Sequence, residues 1–184
     1  MSTRGMYGFY KDGVTKATYN HYDSYPSCLG HKVINFLSNT TIEQLNAIFN
    51  KIILVNEDIL PTKEEVIDCW GYCPNRREGD SICWTELLSN SIGDLSAYKN
   101  NLKYMIDNSE FIKDSLFCEW AYIINLDNKT LEVYKGFQKN QNEPLHRYSI
   151  KETKKYYSCA LIANIPIENI SIEIFNTILS DIDD

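Results

Sequence analysis

The residues best placed to do chemistry lie between positions 18 and 28. Thr18-Tyr19-Asn20-His21-Tyr22-Asp23-Ser24-Tyr25-Pro26 is the densest polar segment of the chain, and Cys28 follows it. Read as a strand, it puts Tyr19, His21 and Asp23 on one face and Asn20, Tyr22 and Ser24 on the other. His21 and Asp23 then have the types of a general base and its orienter. Cys28, near a helix start that lowers a thiol pKa, has the type of a nucleophile. The result is a candidate Cys28/His21/Asp23 catalytic set. Its weakness is geometric, because residues strung along one strand and turn rarely converge on one reacting atom. The same residues support two other readings. Asn20, Asp23 and Ser24 can organise a turn through side-chain to backbone bonds. Asn20, His21, Tyr22, Asp23 and Tyr25 can also form a binding surface.

Other chemistry is thinner. Cys69, Cys73 and Cys83 supply three thiols, but a structural zinc site needs four ligands and no Cys or His stands near enough to be an obvious fourth. Glu64 with Glu65, and Glu119 with Asp127, are paired carboxylates with nothing in the sequence to raise their pKa. Gly5-Met6-Tyr7-Gly8 lacks the spacing of a phosphate loop. No metal and no cofactor is expected.

These residues need elements to position them. Gly5–Tyr10 and Val14–Tyr22 read as strands joined by Lys11-Asp12-Gly13, since Asp-Gly supplies the positive φ angles of a tight hairpin. Ser27 is expected to cap a helix through Leu37. Thr40-Thr41-Ile42-Glu43 and Thr62-Lys63-Glu64-Glu65 fit capping boxes. Ile52–Val55 is a strand or a helix end, and residues 71–81 a loop. Trp84, Leu87 and Leu88 suggest a short helix. Ser91 is expected to cap a longer one, with Ile92, Leu95, Tyr98, Leu102, Met105 and Ile106 on one stripe. Cys118–Lys135 alternates as a second hairpin about Asp127-Asn128-Lys129. Tyr156–Ile165 reads as a strand, and Ser171 as the cap of a last helix. Hairpins with segregated helices predict an α+β fold, an antiparallel sheet built from the N-terminal and central hairpins with helices packed on it. At 184 residues the chain is expected to form a single domain, 1–184.

Composition narrows the partners. Apolar residues are 43% and charged residues 23%, a globular mixture. A formal charge of −7 disfavours broad nucleic-acid backbone binding and suits a partner with a basic surface. Lys135, Lys139, Arg147, Lys151, Lys154 and Lys155 cluster late in the chain, opposed by Glu143 and Glu152, and an acidic tail follows. They read as solvated faces or as an acidic docking surface. No export signal or membrane span is visible, so a cytoplasmic protein with its six Cys as free thiols is expected.

Several segments carry a resemblance. Thr3-Arg4-Gly5-Met6-Tyr7-Gly8-Phe9, Tyr19–Pro26 with Leu29-Gly30, Gly93-Asp94-Leu95, Phe117–Tyr122 and Tyr134-Lys135-Gly136-Phe137 resemble a family of small phage, prophage and gut-bacterial proteins that includes a type II-A anti-CRISPR inhibitor. The resemblance implies a non-enzymatic protein that binds an RNA-guided nuclease complex and blocks DNA binding or cleavage; it carries over no contact residue. A looser similarity, of the opening strands and the Tyr-Asp-Ser segment, is to class II glutamine amidotransferases and other N-terminal-nucleophile hydrolases. It implies an amide-bond hydrolase using Ser2, exposed by removal of Met1; the residues themselves offer Cys28 as the other nucleophile, either one with His21 and Asp23. The glycine that family places after its nucleophile is missing, because Thr3 stands there. A third expectation is a sponge for a signalling nucleotide, which requires an aromatic pocket lined by Lys or Arg.

Overall fold

The computed structural model describes residues 3–73, 82–141, 144–151 and 155–183. Strands β1 (Gly5–Lys11) and β2 (Val14–Asn20) form the first hairpin. Asp12 and Gly13 turn it at φ 49° and 79°, the left-handed region that Asp tolerates and Gly adopts freely. A single π-type turn, Pro26–Gly30, leads into α1 (His31–Ser38). The expected Ser27 cap is not used: Pro26, with its preset φ, occupies the first turn, so Ser27 is already inside.

Helix α2 (Ile42–Lys51) starts one residue later than expected, with Thr41 and Gln44 as its capping box. Thr40 is taken by the preceding helix, where its hydroxyl donates to Phe36 O at 2.7 Å. The second box forms as expected, with Thr62 and Glu65 opening α3 (Lys63–Asp68). Of the expected loop, residues 74–81 lie outside the described residues. Then come α4 (Trp84–Leu87) and α5 (Ser96–Lys99).

The long helix expected after Ser91 is absent. Gly93 and Asn101 sit at φ 75° and 77°, which breaks helical geometry at both ends of α5. Tyr104–Ile106 is instead β4, paired in parallel with β3 (Ile53–Val55). The apolar stripe is buried as expected at Leu95, Tyr98, Leu102, Met105 and Ile106, but not by a helix.

Strands β5 (Trp120–Asn125), β6 (Thr130–Lys135) and β7 (Ala160–Pro166) complete the main sheet, in the order β2-β1-β5-β6-β7. The fold is α+β. Pairing within this five-stranded sheet is antiparallel except where β1 meets β5 in parallel, so the two hairpins join side by side in one direction. The last strand begins at Ala160, four residues later than expected. Helix α6 (Ile172–Asp183) follows, with Ser171 Oγ accepting from Ile174 N.

Alternation along the strands splits the core in two. Tyr7, Phe9, Tyr122, Ile124, Leu131 and Val133 face the helices. Met6, Ala121, Ile123 and Tyr134 face the other way, under the Ser109–Lys113 turn and Tyr148. The sheet is therefore buried on both faces. Among the described residues no helix is long and apolar enough to cross a membrane.

Candidate functional site

The register brings four separate segments to one end of the sheet. Gly5 pairs with both Asn20 and Trp120, and Trp120 pairs with Lys135. The chain just beyond each strand end, at Arg4, 21–25, 117–119 and 136–138, must then meet. Arg4 and Glu119 lock the centre: Glu119 N donates to Arg4 O at 2.9 Å, and Arg4 N donates to Glu119 Oε1 at 3.1 Å.

Aromatic side chains crowd this end and stay in water. Tyr22 is 64% exposed, Phe137 55%, Phe117 43% and Tyr25 39%. Two cations sit over rings. The Arg4 guanidinium is 4.7 Å from the Phe117 centroid, and Lys135 Nζ is 5.6 Å from that of Trp120. Two non-glycine residues here hold positive φ, Asp23 at 53° and Phe137 at 59°. A bulky residue in that region is strained, and such strain persists only where the surroundings over-determine it. For Phe137 they do. Its N–H donates to Ser115 O at 2.7 Å, and the next amide, Gln138 N, donates to Ser115 Oγ at 3.0 Å. The fold thus holds a large apolar ring out in solvent at a conformational cost.

The segment that sequence analysis singled out is built from the turn outward. Asn20 is buried, and its side-chain amide donates to Ser24 Oγ at 2.7 Å and to Tyr22 O. Ser24 is anchored by its N–H on Thr3 O at 3.1 Å and by Tyr122 Oη donating to its carbonyl at 3.0 Å. His21 is exposed, with Nδ1 2.8 Å from Tyr19 Oη and its ring 4.2 Å from that of Tyr22. The Asp23 carboxylate accepts from Tyr25 Oη at 3.0 Å, which raises the Tyr25 phenol pKa. Asn20 and Ser24 shape the turn through their side chains and Asp23 through its left-handed backbone, whose carbonyl accepts from Leu29 N at 3.1 Å; His21, Tyr22 and Tyr25 are displayed by it. Cys28 lies half-buried in the following turn, its N–H on Tyr25 O at 3.0 Å. No hydrogen bond joins Cys28, His21 and Asp23 to one another among the described residues. Ser2 lies outside the described residues.

A second polar cluster joins residues that no local sequence pattern links. Glu132 is 3% exposed on the sheet face turned away from the helices. Its carboxylate accepts from Arg147 Nη2 at 2.6 Å, from Tyr134 Oη at 2.8 Å and from Asn125 Nδ2 at 2.8 Å. The guanidinium lies 3.8 Å from the Tyr10 centroid. Beside it, His146 Nε2 is 2.9 Å from Cys159 O, while its Nδ1 accepts from Tyr148 N at 3.3 Å. Every strong group here has its partner, so the cluster pins the 144–151 segment to the sheet. Arg147 thereby leaves the solvated basic run to which its sequence position assigned it; Glu143, Glu152 and Lys154 lie outside the described residues.

Of the three thiols considered for zinc, Cys69 is buried at the end of α3, and burial pushes its pKa up to about 12. Among the described residues no three His, Cys, Asp or Glu side chains gather about one point fit for a metal ion. No known protein family, curated protein or solved structure matches this chain.

Proposed function

We propose that the protein acts by binding, as an inhibitor of a bacterial defence system, most concretely an anti-CRISPR that docks on a type II RNA-guided nuclease and blocks its DNA binding or cleavage. The observation that carries this reading is the aromatic end of the sheet. Segments 3–9, 19–26, 117–122 and 134–137, which carry the family resemblance, lie far apart in sequence and meet there. Tyr, Trp, Phe and Arg are the side chains most often found at the energetic centre of protein interfaces. A net charge of −7 suits docking against the basic channel of a nucleic-acid enzyme.

The test is a target-cleavage assay with a guide-loaded type II nuclease, with and without the protein, alongside co-elution by size exclusion. Inhibition and co-elution are expected. Tyr22→Ala together with Phe137→Ala is expected to weaken binding at least a hundredfold, on the scale of two lost interface anchors, while circular dichroism stays unchanged. Full cleavage and no complex at micromolar concentration overturn the nuclease as partner. Undiminished binding by the double variant overturns the aromatic end as the contact.

A further inference from the structure

We propose that the groove between α1 and the Asn90–Lys99 segment is a nucleotide site, independent of the aromatic end. The cavity measures about 600 Å³, within the range typical of small-ligand sites. One wall is a single stripe of α1 and its C-cap, where Lys32, Asn35 and Phe36 follow helical spacing and Asn39 ends the row. The other wall is the Gly93-Asp94-Leu95 segment and its neighbours, and Leu29 and Val33 add apolar floor.

This second wall is fixed before any ligand arrives. The buried Tyr7 hydroxyl accepts from Gly93 N at 2.8 Å and donates to Ser91 O at 3.2 Å. Gly93 holds φ 75°, and a Cβ there would lie 2.8 Å from Asn20 Oδ1, so the bend admits only glycine. Asp94, the one acidic residue of the lining, turns its carboxylate onto Ser96 N at 2.8 Å. A wall held this way adds no ordering cost to binding.

The groove's charge and polarity specify the ligand. Lys99 Nζ is tied to Asn39 O at the far end of α1. Lys32 Nζ has no hydrogen bond or ion pair among the described residues, although the chain as a whole carries −7. The Asn35 and Asn90 amides likewise make none. An unpaired ammonium recognises an anionic group. Side-chain amides offer the paired donor and acceptor that a base edge needs. Lys32, in the first turn of α1, and Asn39, its C-cap, are seven residues apart, about 10 Å along the helix axis. That spacing suits a nucleoside monophosphate lying along α1, with phosphate at Lys32 and base toward Asn90 and Asn39, whose amide gives one N–H to Asn35 O at 2.8 Å and keeps its second N–H and Oδ1 for the ligand.

Titration of the full chain with AMP, GMP, UMP and CMP, followed by calorimetry and amide NMR, tests the site, with the four corresponding nucleosides and inorganic phosphate as separate arms. At least one nucleotide is expected to saturate, with shifts confined to residues 29–40 and 90–99. The matching nucleoside and phosphate alone should bind at least tenfold more weakly. Lys32→Ala should weaken nucleotide binding about tenfold, and Asn35→Trp, which fills the groove and keeps its charge, should abolish it. Both positions are exposed, so native circular dichroism is expected of both variants. No saturation by any of the four at millimolar concentration overturns the proposal, as does phosphate binding as tightly as the nucleotide, or binding that both variants leave unchanged.

Discussion

Glu132 shows how a single charge can be kept inside this protein. A carboxylate removed from water is tolerated only when its oxygens are filled, and Arg147, Tyr134 and Asn125 fill them. Removing one partner is worse than removing both. Glu132→Ala leaves a half-buried guanidinium uncompensated and is expected to cost about 3–5 kcal/mol in urea unfolding. Glu132→Leu combined with Arg147→Met should restore most of that loss, and equal losses in the single and double variants would refute the pairing argument. Its neighbour His146 gives a pH dependence. Burial lowers the pKa of this imidazole below its ordinary 6.5, so the unfolded chain takes up its proton first as the solution is acidified. The stability His146 contributes is therefore complete above pH 6.5 and falls as the pH drops below it. Protonation also removes the lone pair that accepts from Tyr148 N. Unfolding midpoints at pH 7.5 and 5.5 should differ by less in His146→Gln than in the parent chain.

At the scale of elements, local chemistry fixed most of what forms. Thr62→Ala removes the acceptor for Glu65 N and is expected to cost about 1 kcal/mol, read from the shift in thermal midpoint. The same kind of signal made both hairpins legible, because Asp12-Gly13 and Asp127-Asn128-Lys129 announce their turns by residue type. Where two local signals competed, tertiary contacts chose. Thr40 and Thr41 can each open α2, and Thr40 is taken by Phe36 O. The stripe from Ile92 to Ile106 satisfies helical spacing, yet Tyr104–Ile106 is drawn out as a strand beside Ile53–Val55. An apolar run of that length fits a buried strand as well as a buried helix, and only the partner decides. The aromatic end was half visible for the same reason. Tyr22 and Tyr25 stand in a dense polar segment, whereas Phe117 and Phe137 join them only through the β1–β5 register, which spans more than a hundred residues.

For the whole molecule, burial sorts the cysteines into two classes. Cys69, Cys118 and Cys159 are fully buried, and burial raises the thiol pKa of Cys69 and Cys118; Cys28, Cys73 and Cys83 are partly exposed. A water-soluble disulfide reagent is expected to titrate three thiols quickly in the native protein and all six in denaturant. Six fast thiols without denaturant would contradict the packing. The parallel contact between β1 and β5 has one more consequence, for the order of events at the ribosome. The first hairpin emerges about a hundred residues before the strand that completes it, and a two-stranded ribbon is marginal alone. Until Trp120–Asn125 has been synthesised, β1 waits with an open edge, and closing so long a loop is slow. The nascent chain must pass that interval with an unfinished sheet, so the speed of translation between the two hairpins bears directly on how much of the protein escapes aggregation.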